Sequence, residues 1–186
     1  MISHARRDLF KLGVGLAVST VPGLATASAL VNAPSRQVAF HNLHTGESLD
    51  AVYWEEGRYM SGALAEVNHV LRDYRSGDVH PIDPRLLDLL DSLSTRLETK
   101  GPFHVISGYR SPKTNAMLHA RSSGVASKSL HMKGLAIDIR LADVDLARLH
   151  KAALSLRAGG VGYYPYEQFV HVDVGPVRQW GGLHEA

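Results

Sequence analysis

No cysteine occurs among the 186 residues, so no disulfide staples this chain and its stability must come from a hydrophobic core or from a metal. A long unbroken apolar run is missing too. The most apolar stretch lies near the N-terminus and is interrupted by Ser19, Thr20, Pro22 and Gly23, which falls short of a membrane-crossing helix. A surplus of one charge is equally absent once the N-terminal segment is set aside: removing residues 1–29 takes away Arg6, Arg7, Lys11 and Asp8, and the counts fall from 20 basic and 18 acidic to 17 and 17. That balance takes away the usual electrostatic support for nucleic-acid binding. There is no internal repeat and no low-complexity tract.

What is present begins with "MISHARRDLFKLGVGLAVSTVPGLATASA". A basic start, an apolar middle and small-residue sites ending at Ala27 or Ala29 make the plan of a cleaved export signal. Arg6-Arg7 followed by Asp8, Leu9, Phe10 and Lys11 resembles the twin-arginine signal, whose pathway carries folded proteins. The expected organisation is therefore a signal over 1–29 and a single domain over 30–186, exported to the periplasm or cell surface and not inserted in a membrane after cleavage.

In the remainder, "RQVAFHNLHTGESLDAVYW" alternates about Thr45-Gly46 and predicts a hairpin. "SGALAEVNHVLRDYRSG" places Leu64, Val67, Leu71 and Tyr74 on one helical face, with Gly77 as its stop. In the next helix Asp83 is the cap, Pro84 fits the first turn, and Leu86, Leu89, Leu90, Leu93 and Leu97 form a buried stripe before Lys100 and Gly101. "FHVIS" reads as a strand running into the turn "GYRS", after which Ser111-Pro112 opens a helix to about Arg121. "LAIDIRL" alternates, with Ala136, Asp138 and Arg140 on one face. Leu146, Leu149, Ala153 and Leu156 mark a further helix ended by Gly159-Gly160. "FVHVDVG" is the last expected element, and Phe169, His171 and Asp173 share one of its faces. The fold class is α+β, a small antiparallel sheet packed against helices.

His131, Asp138 and His171 carry the chemistry. Two imidazoles and one carboxylate match the three protein ligands of a catalytic zinc, which keeps a fourth position for water. Each residue also has a plainer account, as a loop histidine, a solvent-facing or ion-paired carboxylate, and a satisfied core histidine. Asp138 is the hardest to explain away, because a carboxylate in an apolar strand is costly to bury without a cation or metal. His41, His44, His104, His119 and His150 are read as packing, capping or surface residues.

"SGYRS", "SLHMKGLAIDI" and "FVHVDVG", in that order, resemble the zinc D-Ala-D-Ala carboxypeptidase (LAS-type) family of bacterial cell-wall peptidases. "NLHTGES" and "RAGGVGYYP" narrow the similarity to the murein endopeptidases within it. The resemblance implies a Hedgehog/DD-peptidase-like fold, a Zn2+ cofactor held by His131, Asp138 and His171, and hydrolysis of amide bonds in peptidoglycan peptides. It implies that Arg110 faces substrate and its developing negative charge, and that Ser129 serves loop structure or substrate contact. Many relatives carry a glutamate three residues before the last histidine ligand; here that position is Gln168. Glu167 is one residue off, and strand alternation aims it elsewhere. Asp173 then becomes the expected general base, or alternatively a group that orients a ligand. A non-catalytic zinc-containing module that binds peptidoglycan is the rival reading.

Overall fold

The alternating segments either side of Thr45-Gly46 form the expected hairpin in a computed structural model, which describes residues 35–122 and 124–182. The expected export signal lies outside the described residues. Strands β1 (Ser35–Asn42) and β2 (Ser48–Glu55) pair antiparallel, with Phe40 opposite Leu49. The short β3 (Arg58–Tyr59) extends them to one sheet edge.

Helix α1 (Ser61–Val70) stops well before Gly77. Tertiary hydrogen bonds end it. The Leu71 carbonyl accepts the Tyr109 N–H at 2.7 Å, and the buried Asp73 carboxylate accepts the N–H groups of Ser111 at 2.9 Å and Arg75 at 3.0 Å. Helix α2 (Pro84–Leu97) starts as its sequence dictates, with Asp83 accepting the Arg85 N–H, and it buries Leu86, Leu87, Leu89, Leu90, Leu93 and Leu97. Each such side chain contributes roughly 1.5–3 kcal/mol by leaving water. The helix closes at Glu98, in the left-handed region at φ 56°, earlier than the Lys100-Gly101 stop.

Beyond it come β4 (Phe103–Ser107), α3 (Pro112–Arg121), β5 (Ala136–Arg140), α4 (Leu146–Leu156), β6 (Gly160–Tyr164), β7 (Phe169–Asp173) and β8 (Arg178–Gly181). All eight strands join one sheet in the order β3-β2-β1-β4-β5-β7-β6-β8. The α+β class holds, and the sheet is larger than expected. It is also not wholly antiparallel, since β1 pairs with β4 and β6 with β8 in parallel.

The sequence reading missed β6 and β8 for a steric reason. Gly159-Gly160 does not cap α4, which ends at Arg157. A Cβ on Gly159 would overlap the Asp173 carbonyl, so a glycine there lets the chain re-enter the sheet beside β7. The core lies on one face of the central strands, where Ile137, Ile139, Val170 and Val172 are fully buried with the leucines of α2 and with Leu149 of α4. Strand alternation turns Asp138, His171 and Asp173 to the other face.

Asp73 ties α1 to the turn that precedes α3. Burial alone would raise its pKa, but hydrogen bonds from Thr114, Ser111 and Arg75 outweigh that and hold it down to about 2. Because the folded value is the lower one, its stabilisation is present above the unfolded carboxyl value and is lost as pH falls through the folded one. Asp73→Asn is therefore expected to lower stability at neutral pH and to flatten the acid-induced loss between about pH 4 and pH 2, measured by urea unfolding at each pH.

Candidate metal centre

β5 and β7 bring two of the three candidate ligands together by register, because Asp138 stands directly opposite His171 and opposed residues share a sheet face. The third arrives from the loop before β5. Ser129 caps a short 3-10 turn, Leu130–Lys133, and its hydroxyl accepts the His131 N–H at 3.4 Å. Gly134 follows in the left-handed region at φ 65°, pressed so closely on Pro81 that a Cβ would overlap the Pro81 carbonyl. This reversal swings His131 back over the strand it precedes.

The donor atoms form a small triangle. His171 Nδ1 lies 2.8 Å from Asp138 Oδ1, His131 Nε2 lies 3.2 Å from the same oxygen, and the two nitrogens are 3.2 Å apart. A tetrahedral ion with bonds near 2 Å sets its ligands about 3.3 Å apart. The three atoms thus need to spread by only a few tenths of an ångström, and the residues fit a metal ion.

The nitrogens away from the triangle are also committed. His131 Nδ1 donates to the Gly108 carbonyl at 2.7 Å, leaving the Nε2 lone pair to point inward. His171 Nε2 faces Asp173 Oδ2 at 3.1 Å. Such bonds select the tautomer and orient the ring.

Asp173 does not occupy the position expected of a base. It is completely buried behind His171, and its oxygens accept from Gly160 N at 2.9 Å, Gly175 N at 2.8 Å and Arg178 at 2.7 Å as well as from His171. Burial works to raise its pKa, yet the His171 bond and the two backbone donors hold it well below the usual carboxylate range. It thus meets the ring nitrogen of His171 that points away from the triangle, and it is not among the residues that line the cleft.

The open side of the triangle faces a cleft of about 410 Å³ whose walls include Arg110, Lys128, Ser129, Tyr164, Glu167 and Trp180. Glu167 reaches this cleft because residues 165–168 form a turn with Gln168 at φ 60°, so strand alternation does not apply to it. The Gln168 amide instead folds back onto the Pro165 carbonyl. Arg110 is held at its backbone by the His131 carbonyl at 3.2 Å. Its guanidinium is largely buried, 3.7 Å from Asp138 Oδ2, with Nε lacking any partner among the described residues. Burial lowers its pKa against the pull of Asp138.

Trp180 and Lys128 escaped the sequence reading. Trp180 lies against Gly162, stands 5.1 Å from the His171 ring and donates to the Tyr164 hydroxyl at 2.8 Å. No spacing rule flags it, since β8 itself carried no signal. Among the described residues, three of the other histidines have partners of their own. His119 bonds the Val125 carbonyl, His150 stacks on Tyr163, and His104 meets His41 edge-on.

Two imidazoles and a carboxylate on the open side of an α+β sheet, beside an under-satisfied guanidinium, define a centre of the metal-dependent hydrolase kind. The family model described as peptidoglycan L,D-endopeptidase MepK, of the M15 peptidases, matches residues 31–180, and the chain belongs to that family. It is 47% identical over 178 residues to the peptidoglycan L,D-endopeptidase MepK of Escherichia coli K12, covering 94% of this chain and 96% of that protein. It is 41% identical over 182 residues to the probable peptidoglycan L,D-endopeptidase MepK of Haemophilus influenzae, covering 97% of each.

In the metal-free protein burial disfavours a charged His171, but Asp138 and Asp173 on either side raise its pKa to about 9. An incoming ion must displace the Nδ1 proton. Affinity for a divalent ion is therefore expected to rise with pH up to about 9, by as much as tenfold per unit, and to level off above it. Cobalt titration at a series of pH values checks this, and a pH-independent affinity would contradict the geometry.

Proposed function

We propose that the protein is an exported, zinc-dependent murein endopeptidase, hydrolysing amide bonds in the peptide cross-links of peptidoglycan, of the L,D type named for its relatives. The observation that carries this reading is the triangle of His131, Asp138 and His171 donors, with edges of 2.8–3.2 Å, at the floor of a cleft that also holds a buried, under-partnered guanidinium. Two imidazoles with a carboxylate suit zinc, which would supply Lewis-acid polarisation of the scissile carbonyl and a more acidic water.

The chain's own residues supply the rest. Arg110 lines the cleft with a guanidinium that makes only long contacts to Ser107, Asn115 and Asp138, and it is the cation available to a substrate carboxylate or the oxyanion of the tetrahedral intermediate. Asp173 receives the His171 Nε2 proton and keeps that ring in register. Ser129 holds the 3-10 turn from which His131 projects and lines the cleft beside it. Glu167 is the cleft carboxylate that forms no ion pair among the described residues, and it is the group available to take a proton from water. The twin-arginine-type segment and a peptidoglycan substrate both support a periplasmic location. Among the described residues no helix is long and apolar enough to cross a membrane.

Digestion of cross-linked muropeptides, with metal content measured in parallel, tests these assignments. His131→Ala is expected to lose both metal and cleavage. Arg110→Lys keeps a charge but not the fork, and is expected to lower kcat/KM by about 10²–10³-fold with metal retained. Asp173→Asn is expected to weaken metal binding by about 10–100-fold and to recover activity in excess zinc. Glu167→Gln is expected to keep metal and lose turnover without such recovery. Cleavage that persists in Glu167→Gln and stays lost in zinc-saturated Asp173→Asn would return the base to Asp173. Intact cross-links with the metal-loaded wild type would favour a binding module.

A further inference from the structure

Asn115 is buried in the first half of α3, where nothing in the hydrophobic pattern calls for an amide. Its two ends face different parts of the cleft. Oδ1 accepts from Arg110 Nη1 at 3.4 Å. Nδ2 donates to the Ala126 carbonyl at 3.1 Å and to the Ser127 carbonyl at 3.4 Å. Val125, Ala126 and Lys128 line the cleft together with Glu167 and Trp180, and the same loop leads to Ser129 and His131. His119, one helical turn after Asn115, secures it a second time through the Val125 carbonyl at 2.5 Å.

From this juxtaposition we infer that Asn115 is a positioning residue for substrate: it locks the cleft lip at Val125–Lys128 to the guanidinium of Arg110, so that the peptide backbone and its reacting carbonyl are gripped in one frame. The inference rests on the peptidase reading above. An amide can do this at a single buried point, because it accepts with one atom and donates two N–H bonds with the other. The bonds to Arg110 and Ser127 are long, while Arg110 Nε is unpartnered. The grip is thus set up to tighten when a substrate anion engages the arginine, as bonds in substrate-free sites commonly do.

Two variants separate the halves of the clamp. Asn115→Asp keeps an acceptor for Arg110 but loses both donors to the lip and sets a carboxylate against its carbonyls; Asn115→Ala loses everything. In muropeptide kinetics Asn115→Asp is expected to raise KM about tenfold with kcat within about threefold of wild type, whereas Asn115→Ala is expected to lower kcat at least tenfold as well. Limited trypsin digestion gives a readout independent of activity. Arg121 and Lys128 flank the lip and are exposed, and in both folded, metal-loaded variants they are expected to be cut several-fold faster than in wild type. Unchanged trypsin cutting, or an unchanged KM with a fall in kcat that merely tracks the folded fraction measured by thermal melting, would overturn the inference. Should the wild type cleave no muropeptide, the peptidase reading falls, and the trypsin comparison still decides whether Asn115 holds the lip.

Discussion

The structure depends on the pairing of buried carboxylates with imidazoles across β5 and β7. Asp138 and Asp173 are both shielded from water at the centre of an eight-stranded sheet, where an isolated ionised carboxylate would be prohibitively costly. His171 sits between them, bonded to one through each ring nitrogen. Asp138 is further served by His131 and Asp173 by Arg178. Burial would raise the pKa of Asp138, and the two histidines reverse that, holding it well below the usual carboxylate range. A chain of alternating charges can be buried where its separate members cannot.

That arrangement divides the central strands between two tasks. One face gives Ile137, Ile139, Val170 and Val172 to the core with α2 and α4, and this packing makes the backbone positions rigid. The other face carries the donors, whose separations follow from strand register and not from flexible loops. Around them a second set of contacts sets orientation: the Gly108 carbonyl on His131, Asp173 on His171, and the Trp180 ring beside His171. Metal-ligand geometry generally depends on such outer partners as much as on the ligands.

The cleft has unequal walls. The part lined by the 124–128 segment is tied to α3 by side-chain bonds to its backbone carbonyls, from Asn115 and His119. The end of β6, the 165–168 turn and β8 also line the cleft, with Tyr164, Glu167 and Trp180 respectively. Arg110, which lines the same cleft, is largely desolvated by folding, and preorganised groups of this kind are the largest single contribution in many enzymes that stabilise developing negative charge.

Much of this was legible in the chain. The hairpin, the start of α2 at Asp83-Pro84, the Ser111 cap of α3 and the alternation of β5 all appear where local pattern placed them, since each depends on neighbours a few positions away. His131, Asp138 and His171 stood out because an acid inside an apolar strand demands a partner. Local pattern failed where distant groups intervened. Helix α1 stops at Val70 because Tyr109 and Ser111 draw off its end, and Gly159-Gly160 serves the close passage of Asp173 and not a helix cap. Glu167 enters the cleft because a left-handed Gln168 breaks the alternation that would have turned it away. Sequence alone thus determined which donors this protein possesses and which strands and helices carry them, because composition and periodicity are local properties. Only the tertiary structure decided that Asp173 stands behind His171, that Glu167 and Trp180 line the cleft and that Asn115 joins Arg110 to the backbone of residues 126 and 127, because those outcomes follow from strand register and burial among residues far apart in the chain.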